Sequence, residues 1–200
     1  MKSKFPLIII LAGLIIIGIG VWQFVDVKLE TKASIKKAKT IIAEQRTTPL
    51  ERTIVKGSEK NTISIPKPVF GDTIGLLQIP RIKAELAIVE GTDPNDLKKG
   101  VGHYKGSYFP NENGQIVLSG HSDTVFRHLG ELKIGDTLKV KMPNGTSVYE
   151  ITHTKIVDSK DTSIITLQHS KEELILTTCY PFRYVGNAPK RYIIYAQPKK

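Results

Sequence analysis

One cysteine in 200 residues leaves no partner for an internal disulfide, so this fold is held by its core alone, whichever compartment it occupies. Aromatic residues are scarce at 7%, with a single Trp. Acidic residues are also short, 19 against 29 Lys and Arg, which leaves a formal net charge of +10. The surplus does not form a basic folded domain: the first 60 residues carry 11 Lys and Arg against 5 Asp and Glu, and the rest carry 18 against 14. Nucleic-acid binding needs a basic track on the domain, and single strands need aromatic platforms, so this composition argues against a nucleic-acid partner. A basic tail beside an anionic membrane fits better. The chain has no internal repeat and no low-complexity tract. With 40% apolar and 24% charged residues, it has a globular composition and enough length for one ordinary domain plus an extension.

The most conspicuous local absence is between Phe5 and Trp22, where FPLIIILAGLIIIGIGVW has no strongly polar side chain. As a helix, at about 1.5 Å per residue, this run is roughly 27 Å long, close to the hydrocarbon thickness of a bilayer. A cleaved signal peptide is the alternative, but the apolar run is long for one and no small-x-small cleavage site follows in GIGVWQFVDVK. The expectation is an uncleaved transmembrane anchor. Its orientation is not readable from charge, because Lys2 and Lys4 precede the span while Lys28, Lys32, Lys36, Lys37 and Lys39 follow it.

Beyond the span, Ile35, Ala38 and Ile42 recur at helical spacing among Lys and Glu, and Pro49 ends the pattern, predicting a short amphipathic helix. Such a stalk can pack on the folded domain, lie along the membrane, or act as a lid over an active site. Residues 58–72 (SEKNTISIPKPVFGD) read as a link, polar with two prolines and a glycine. The expected organisation is a cytoplasmic tip and anchor over 1–25, a stalk and linker over 26–69, and a catalytic domain over 70–200.

After residue 72 the helical period largely disappears. TIGLLQI, LAIVE, QIVLS, DTLKVKM, SVYEITHTKIV, ELILTT and RYIIYA are strand-like runs bounded by Gly, Pro, Asn and Asp. In one of them Leu138, Val140 and Met142 alternate with Lys139 and Lys141, and MPNGTS carries a hairpin signal at Asn144-Gly145. Seven or eight strands with at most short helices, at NDLKKG and VFRHLG, predict an all-β barrel or sandwich.

The lone Cys179 stands where the strand run ELILTT stops. Buried, it would be a small inert hydrophobe; as a nucleophile it needs a base or cation to supply the thiolate. Of the five histidines, His121 also follows an apolar strand directly, whereas His103, His128, His153 and His169 have less constrained settings. If ELILTTC and RYIIYA pair as an antiparallel hairpin, Arg191 falls beside Cys179; Arg183, inside the loop, is its rival. A guanidinium there can lower the thiol pKa and hold a carbonyl oxygen as it gains charge. A caspase-like peptidase also has a His about fifty residues before its Cys, but TTCYP lacks the Q-A-C-x-G pattern; papain-like hydrolases reverse the order of Cys and His.

Taken together, GLLQIPRI (75–82), GVGHY (100–104), SGHSDTVFRHLGELKIGD (119–136), the LTTC ending at Cys179 and PKRYIIYA (189–196) resemble a sortase, most similar to class D. The resemblance runs through about residues 70–197 in the family's order. It implies a closed barrel of about eight strands and a membrane-anchored cysteine transpeptidase whose catalytic domain lies outside the membrane. It also implies a sorting signal of Leu-Pro-x-Thr type on a surface protein as one substrate, and an amino group of a peptidoglycan precursor as the other. No cofactor or metal is implied. By the same resemblance Cys179 attacks the Thr carbonyl, Arg191 holds the oxyanion, and His121 protonates the leaving amine. Thr178, Ile164, Ile165 and Leu167 become expected substrate contacts, although the two isoleucines and Leu167 could equally pin their loop to the core. The rival functions are a tethered cysteine peptidase that only hydrolyses and a non-catalytic wall-binding module. SGHSD and PNENGQ depart from many relatives, but outside the three reactive positions.

Overall fold

The computed structural model describes residues 5–47, 68–184 and 186–199. Of the expected linker, residues 58–67 lie outside the described residues. Helix α1 runs unbroken over Phe5–Thr47, so the apolar run and the amphipathic segment are one helix. From Ile9 to Trp22 its large apolar side chains are exposed with nothing packed on them, and the helix is long and apolar enough to cross a membrane. The amphipathic part does pack on the domain: Ala38 is fully buried against Leu76 and Ala87, flanked by Ile35 and Ile42.

The remaining elements are β1 (Thr73–Ile79), β2 (Ala84–Glu90), α2 (Pro94–Lys99), β3 (Val101–His103), β4 (Gln115–Ser119), β5 (Thr137–Met142), β6 (Gly145–Asp158), β7 (Glu173–Tyr180) and β8 (Lys190–Pro198). The strands close into a barrel in the order β1-β2-β3-β4-β7-β8-β6-β5. The pairs β2/β3 and β4/β7 are parallel and the others antiparallel. Seven strands coincide with the expected runs. The eighth, β3, is only three residues long and contains a glycine, so it carries too little pattern to be read from sequence.

The hairpin between β5 and β6 forms one residue earlier than expected. Met142 pairs with Gly145, so Pro143 and Asn144 are the loop residues. Proline's fixed negative φ suits the first central position of an ordinary turn and excludes the mirror-image type, and the positive φ falls on Gly145 instead. VFRHLG likewise forms turns, and only Leu129–Glu131 make a short 3-10 turn.

Inside the barrel, alternate residues of each strand form the main core, among them Leu77, Ile88, Ile116, Leu118, Leu138, Ile151, Leu174, Leu176 and Ile194, with Phe126 and Leu129 added by the segment after β4. A second cluster forms on the outer face of β4, β7 and β8, where Val117, Ile175 and Ile193 are covered by Val157 and by Ile164 of the β6–β7 loop. Burial on both faces is why QIVLS and ELIL read as continuous apolar runs rather than alternating ones.

Candidate active site

The inward direction of Ile116, Leu118, Leu174, Leu176 and Ile194 fixes the direction of their neighbours, because side chains alternate along a strand. Val117 and Ser119 therefore point outward on β4, Ile175, Thr177 and Cys179 on β7, and Ile193 and Arg191 on β8. Cys179 is the direct antiparallel partner of Arg191. Their Cα atoms are about 5 Å apart, the spacing of opposed residues in an antiparallel ladder.

The relation to His121 comes from the parallel pair. Gln115 pairs with Glu173 and Ser119 with Thr177, a constant offset of 58 residues. His121 and Cys179 are also 58 apart. Ladder contacts continue past the end of β4, since the Gly120 amide donates to the Thr177 carbonyl at 3.1 Å. The same register brings His121, two residues past the end of β4, to the Cys179 end of the sheet, on the side opposite Arg191. Cys179 and Arg191 sit half-buried on adjacent strands, and the exposed His121 follows β4, the strand on the other side of β7.

Two features hold His121. Its carbonyl accepts the Phe126 amide at 3.0 Å, closing a turn that seats Phe126 and Leu129 in the core. Gly120 permits that turn: an added Cβ would lie 2.7 Å from a Phe126 ring carbon and 2.8 Å from a Val125 methyl. Thr178 points inward, is buried, and donates its hydroxyl to the Gly120 carbonyl at 2.7 Å. It therefore ties the cysteine strand to the residue before His121 instead of facing the outer side of the sheet, where a substrate would lie.

The other histidines are engaged or remote. His103 is buried, with Nδ1 at 2.8 Å from Glu90 and Nε2 at 2.9 Å from the Ser107 hydroxyl and 3.1 Å from the Tyr108 carbonyl. Ser107 is itself buried and accepts the Val117 amide, so this Ser–His–Glu chain braces the β3–β4 loop. His128 pairs with Glu131, His153 stacks on Tyr195, and His169 lies exposed in the β6–β7 loop.

Arg191 donates through Nη1 to the carbonyls of Ala188 at 3.1 Å and Lys190 at 3.0 Å. Its other guanidinium N–H groups remain available. Arg183 is exposed in a left-handed conformation, φ 62°, and borders a groove of about 450 Å³ with Tyr180, Phe182 and Tyr192. That groove includes neither Cys179 nor Arg191.

The β6–β7 loop forms a wall over the outer cluster. Ile164 is buried in it and Ile165 half-buried against it, while Leu167 is half-buried with φ 50° and is not part of the cluster. Sequence reasoning missed what fixes this wall. Gln115, 1% exposed, accepts the Thr166 and Leu167 amides at 2.9 and 3.1 Å and donates to the Ile164 carbonyl at 3.1 Å and to Glu173 at 3.2 Å. Its own amide donates to the Gln168 carbonyl at 2.9 Å. At the loop's start the Ser163 hydroxyl, then its amide, hold the Asp161 carboxyl below its usual range. The only sequence signal for this clamp was a Gln opening an apolar strand.

A half-buried thiol opposite a guanidinium, with a histidine just past the end of the neighbouring strand, has the groups that acyl transfer through a thioester needs. Comparison with known proteins agrees. A family model described as the sortase domain matches residues 77–199. The chain is 58% identical over 200 residues to sortase D of Bacillus subtilis (strain 168), covering 98% of each. Among solved structures it is similar to the catalytic domain of B. anthracis SrtD, at 40% identity and TM-score 0.58 over 71% of this chain and 97% of that one. A Clostridium perfringens sortase D5 transpeptidase shares the fold, with TM-score 0.68 at 22% identity over 86% of this chain and 99% of that one.

Proposed function

Because this chain belongs to the sortase family of cysteine transpeptidases, we propose that it joins surface proteins to an amino group of the cell wall, taking a sorting signal of Leu-Pro-x-Thr type as acyl donor. The single observation that carries the reading is the pairing of Cys179 with Arg191 across β7 and β8, with His121 just past the end of the neighbouring β4. In the reaction, Cys179 Sγ loses its proton to His121 and attacks the Thr carbonyl carbon. The carbonyl oxygen becomes an oxyanion, and Arg191 receives it by aiming a free N–H at it. Collapse breaks the peptide C–N bond, His121 returns the proton to the departing amine, and the acyl group stays on sulfur as a thioester. The acceptor amine then attacks that carbonyl, His121 takes the amine's proton, and the thiolate leaves.

The β6–β7 loop supports the donor choice. Val117, Ile175 and Ile193 are already covered by Val157 and Ile164, so the apolar surface left for Leu and Pro is the half-buried Ile165 and Leu167 of the β6–β7 loop. The exposed apolar stretch of α1 crosses the membrane, with residues 26–200 outside the cell.

The test is mass spectrometry of the full chain in detergent with a panel of Leu-Pro-x-Thr-x peptides and primary amines. A thioester adduct on Cys179 and an amide product are expected, and Cys179→Ala should form neither. Hydrolysis without transfer under every amine tested would make this a tethered peptidase. Peptide retention with no bond cleaved, unaffected by Cys179→Ala, would make it a wall-binding module.

A further inference from the structure

His121 has a second neighbourhood besides Cys179. A cleft of about 210 Å³ opens between α1, α2 and the turn after β4, bordered by Val27 and Thr31 of α1, Leu97 and Lys98 of α2, and His121 and Asp123. His121 is therefore reachable from the α1 side of the domain, away from the β6–β7 loop. Asp123 is exposed and its carboxylate makes no hydrogen bond or ion pair among the described residues, so it is free to attract a cation. Of the cations around it, Lys98 turns its ammonium toward Asn95 at 3.4 Å, and Arg127 Nε donates to the Asp123 main-chain carbonyl at 2.9 Å rather than to the carboxylate.

The cleft's position relative to the membrane is set by one helix. Val27 and Thr31 lie five and nine residues beyond Trp22 on α1, which at about 1.5 Å per residue places them roughly 8 and 14 Å beyond the end of the apolar run. A headgroup layer is on the order of 5–8 Å thick on each side, so the cleft opens just above it. The height is fixed because the helix is docked: Thr31 donates to the Lys98 carbonyl at 3.1 Å, Lys39 pairs with Glu85, and Ile35, Ala38 and Ile42 pack on Leu76 and Ala87.

We propose that this cleft is the acceptor site, entered from the membrane side by a primary amine carried on a membrane-anchored molecule, with α1 as the ruler that sets its height. The inference rests on the transpeptidase reading above. Asp123 draws in the ammonium, and His121 takes one proton from it. The freed amine nitrogen forms its bond to the thioester carbonyl as the C–S bond breaks, with the electron pair leaving on Cys179 sulfur.

The experiment uses the full chain in phosphatidylcholine vesicles with a soluble donor peptide and two acceptors, free glycinamide and N-glycyl-phosphatidylethanolamine in the bilayer. The readout is the ratio of amide product to hydrolysed peptide. Val27→Trp, which fills the cleft, should lower that ratio at least tenfold for both acceptors, and Asp123→Asn should do so by raising the amine's KM. A seven-residue helical insertion between Val25 and Asp26 lies before every docking contact, raises the domain by about 10 Å, and nearly preserves the helix face. It should lower the ratio at least tenfold for the lipid-borne amine and leave it within twofold for glycinamide. An unchanged glycinamide ratio in both point variants would overturn the cleft as acceptor site, and an unchanged lipid ratio after the insertion would overturn the ruler. A wild-type chain that cleaves no peptide would sink the transpeptidase reading, and this inference with it.

Discussion

Replacing Gln115 with Leu would remove the side chain that fastens the β6–β7 loop to β4 while leaving His121, Cys179 and Arg191 alone. Three hydrogen bonds to the loop backbone are lost, at Ile164, Thr166 and Leu167. At a net value of about 0.5–1.5 kcal/mol each, they contribute roughly 2–4 kcal/mol to holding the wall, and more if its carbonyl and amides stayed buried and unpaired. Opposing release is the burial of Ile164, about 1.5–3 kcal/mol, together with the main-chain bond from Gln115 to Gln168. Those contacts persist in the variant and absorb part of the loss, so about 1–2 kcal/mol of it is expected to appear as a closed wall less populated than in wild type. A binding-competent fraction reduced by that amount raises the apparent dissociation constant about 5–30-fold.

The expected outcome for Gln115→Leu is therefore a KM for the donor peptide raised 5–30-fold with kcat within about threefold, and amide exchange at Thr166 and Leu167 accelerated by a similar factor. Gln115→Glu separates the contributions. It keeps the acceptor for those two amides but sets a carboxylate where Nε2 now lies 3.2 Å from Glu173, so its effect should be at least as large near neutral pH and shrink as the pH is lowered. Accelerated exchange with an unchanged KM would refute the reasoning, because the loop would then be mobile without mattering to the substrate. A fall in kcat alone would refute it differently, by placing Gln115 in the chemistry at Cys179.

Arg191→Lys keeps the charge but loses the planar fork, so kcat/KM should fall on the order of a hundredfold, whereas Arg183→Lys should change it by no more than a few fold; folded variants with the opposite ranking would reverse the assignment. His121→Ala should lose most transfer activity yet leave Cys179 open to a small alkylating reagent, and a thiol that no longer reacts would mean the cavity itself had collapsed. Glu85 is held below the usual carboxylate range, first by the Lys39 hydrogen bond and then by that of Gln78. A depressed folded-state pKa stabilises above the ordinary Glu value of about 4.3 and is lost as pH falls through the lower folded value. Docking of α1 should therefore loosen in acid below about pH 4, and Glu85→Gln should flatten that dependence, as read by amide exchange at Ala38.

The strands were legible because each carries its own period and its own punctuation, while the site depends on pairings that a single strand does not carry. The β7–β8 hairpin is local, so a strand end and the next strand start were enough to bring Arg191 beside Cys179. The β4–β7 pair is parallel and joins residues 58 apart, and no local pattern announces such a contact. The number was in plain view as the His–Cys separation, but it acquires meaning only as a register offset. Gln115 stayed illegible for the same reason: a polar residue opening a strand looks like an edge until a loop fifty residues later folds back onto its side chain. The amphipathic period of Ile35, Ala38 and Ile42 did disclose a packed face on the stalk. That this face belongs to the same unbroken helix as the apolar run was not disclosed, since two adjoining helices with different periods need not be continuous. Continuity joins the apolar run to the folded domain in one rod whose far end packs beside β1 and β2 and whose middle borders the His121 cleft, so under the proposed topology that rod would set the height of Cys179 above the lipid.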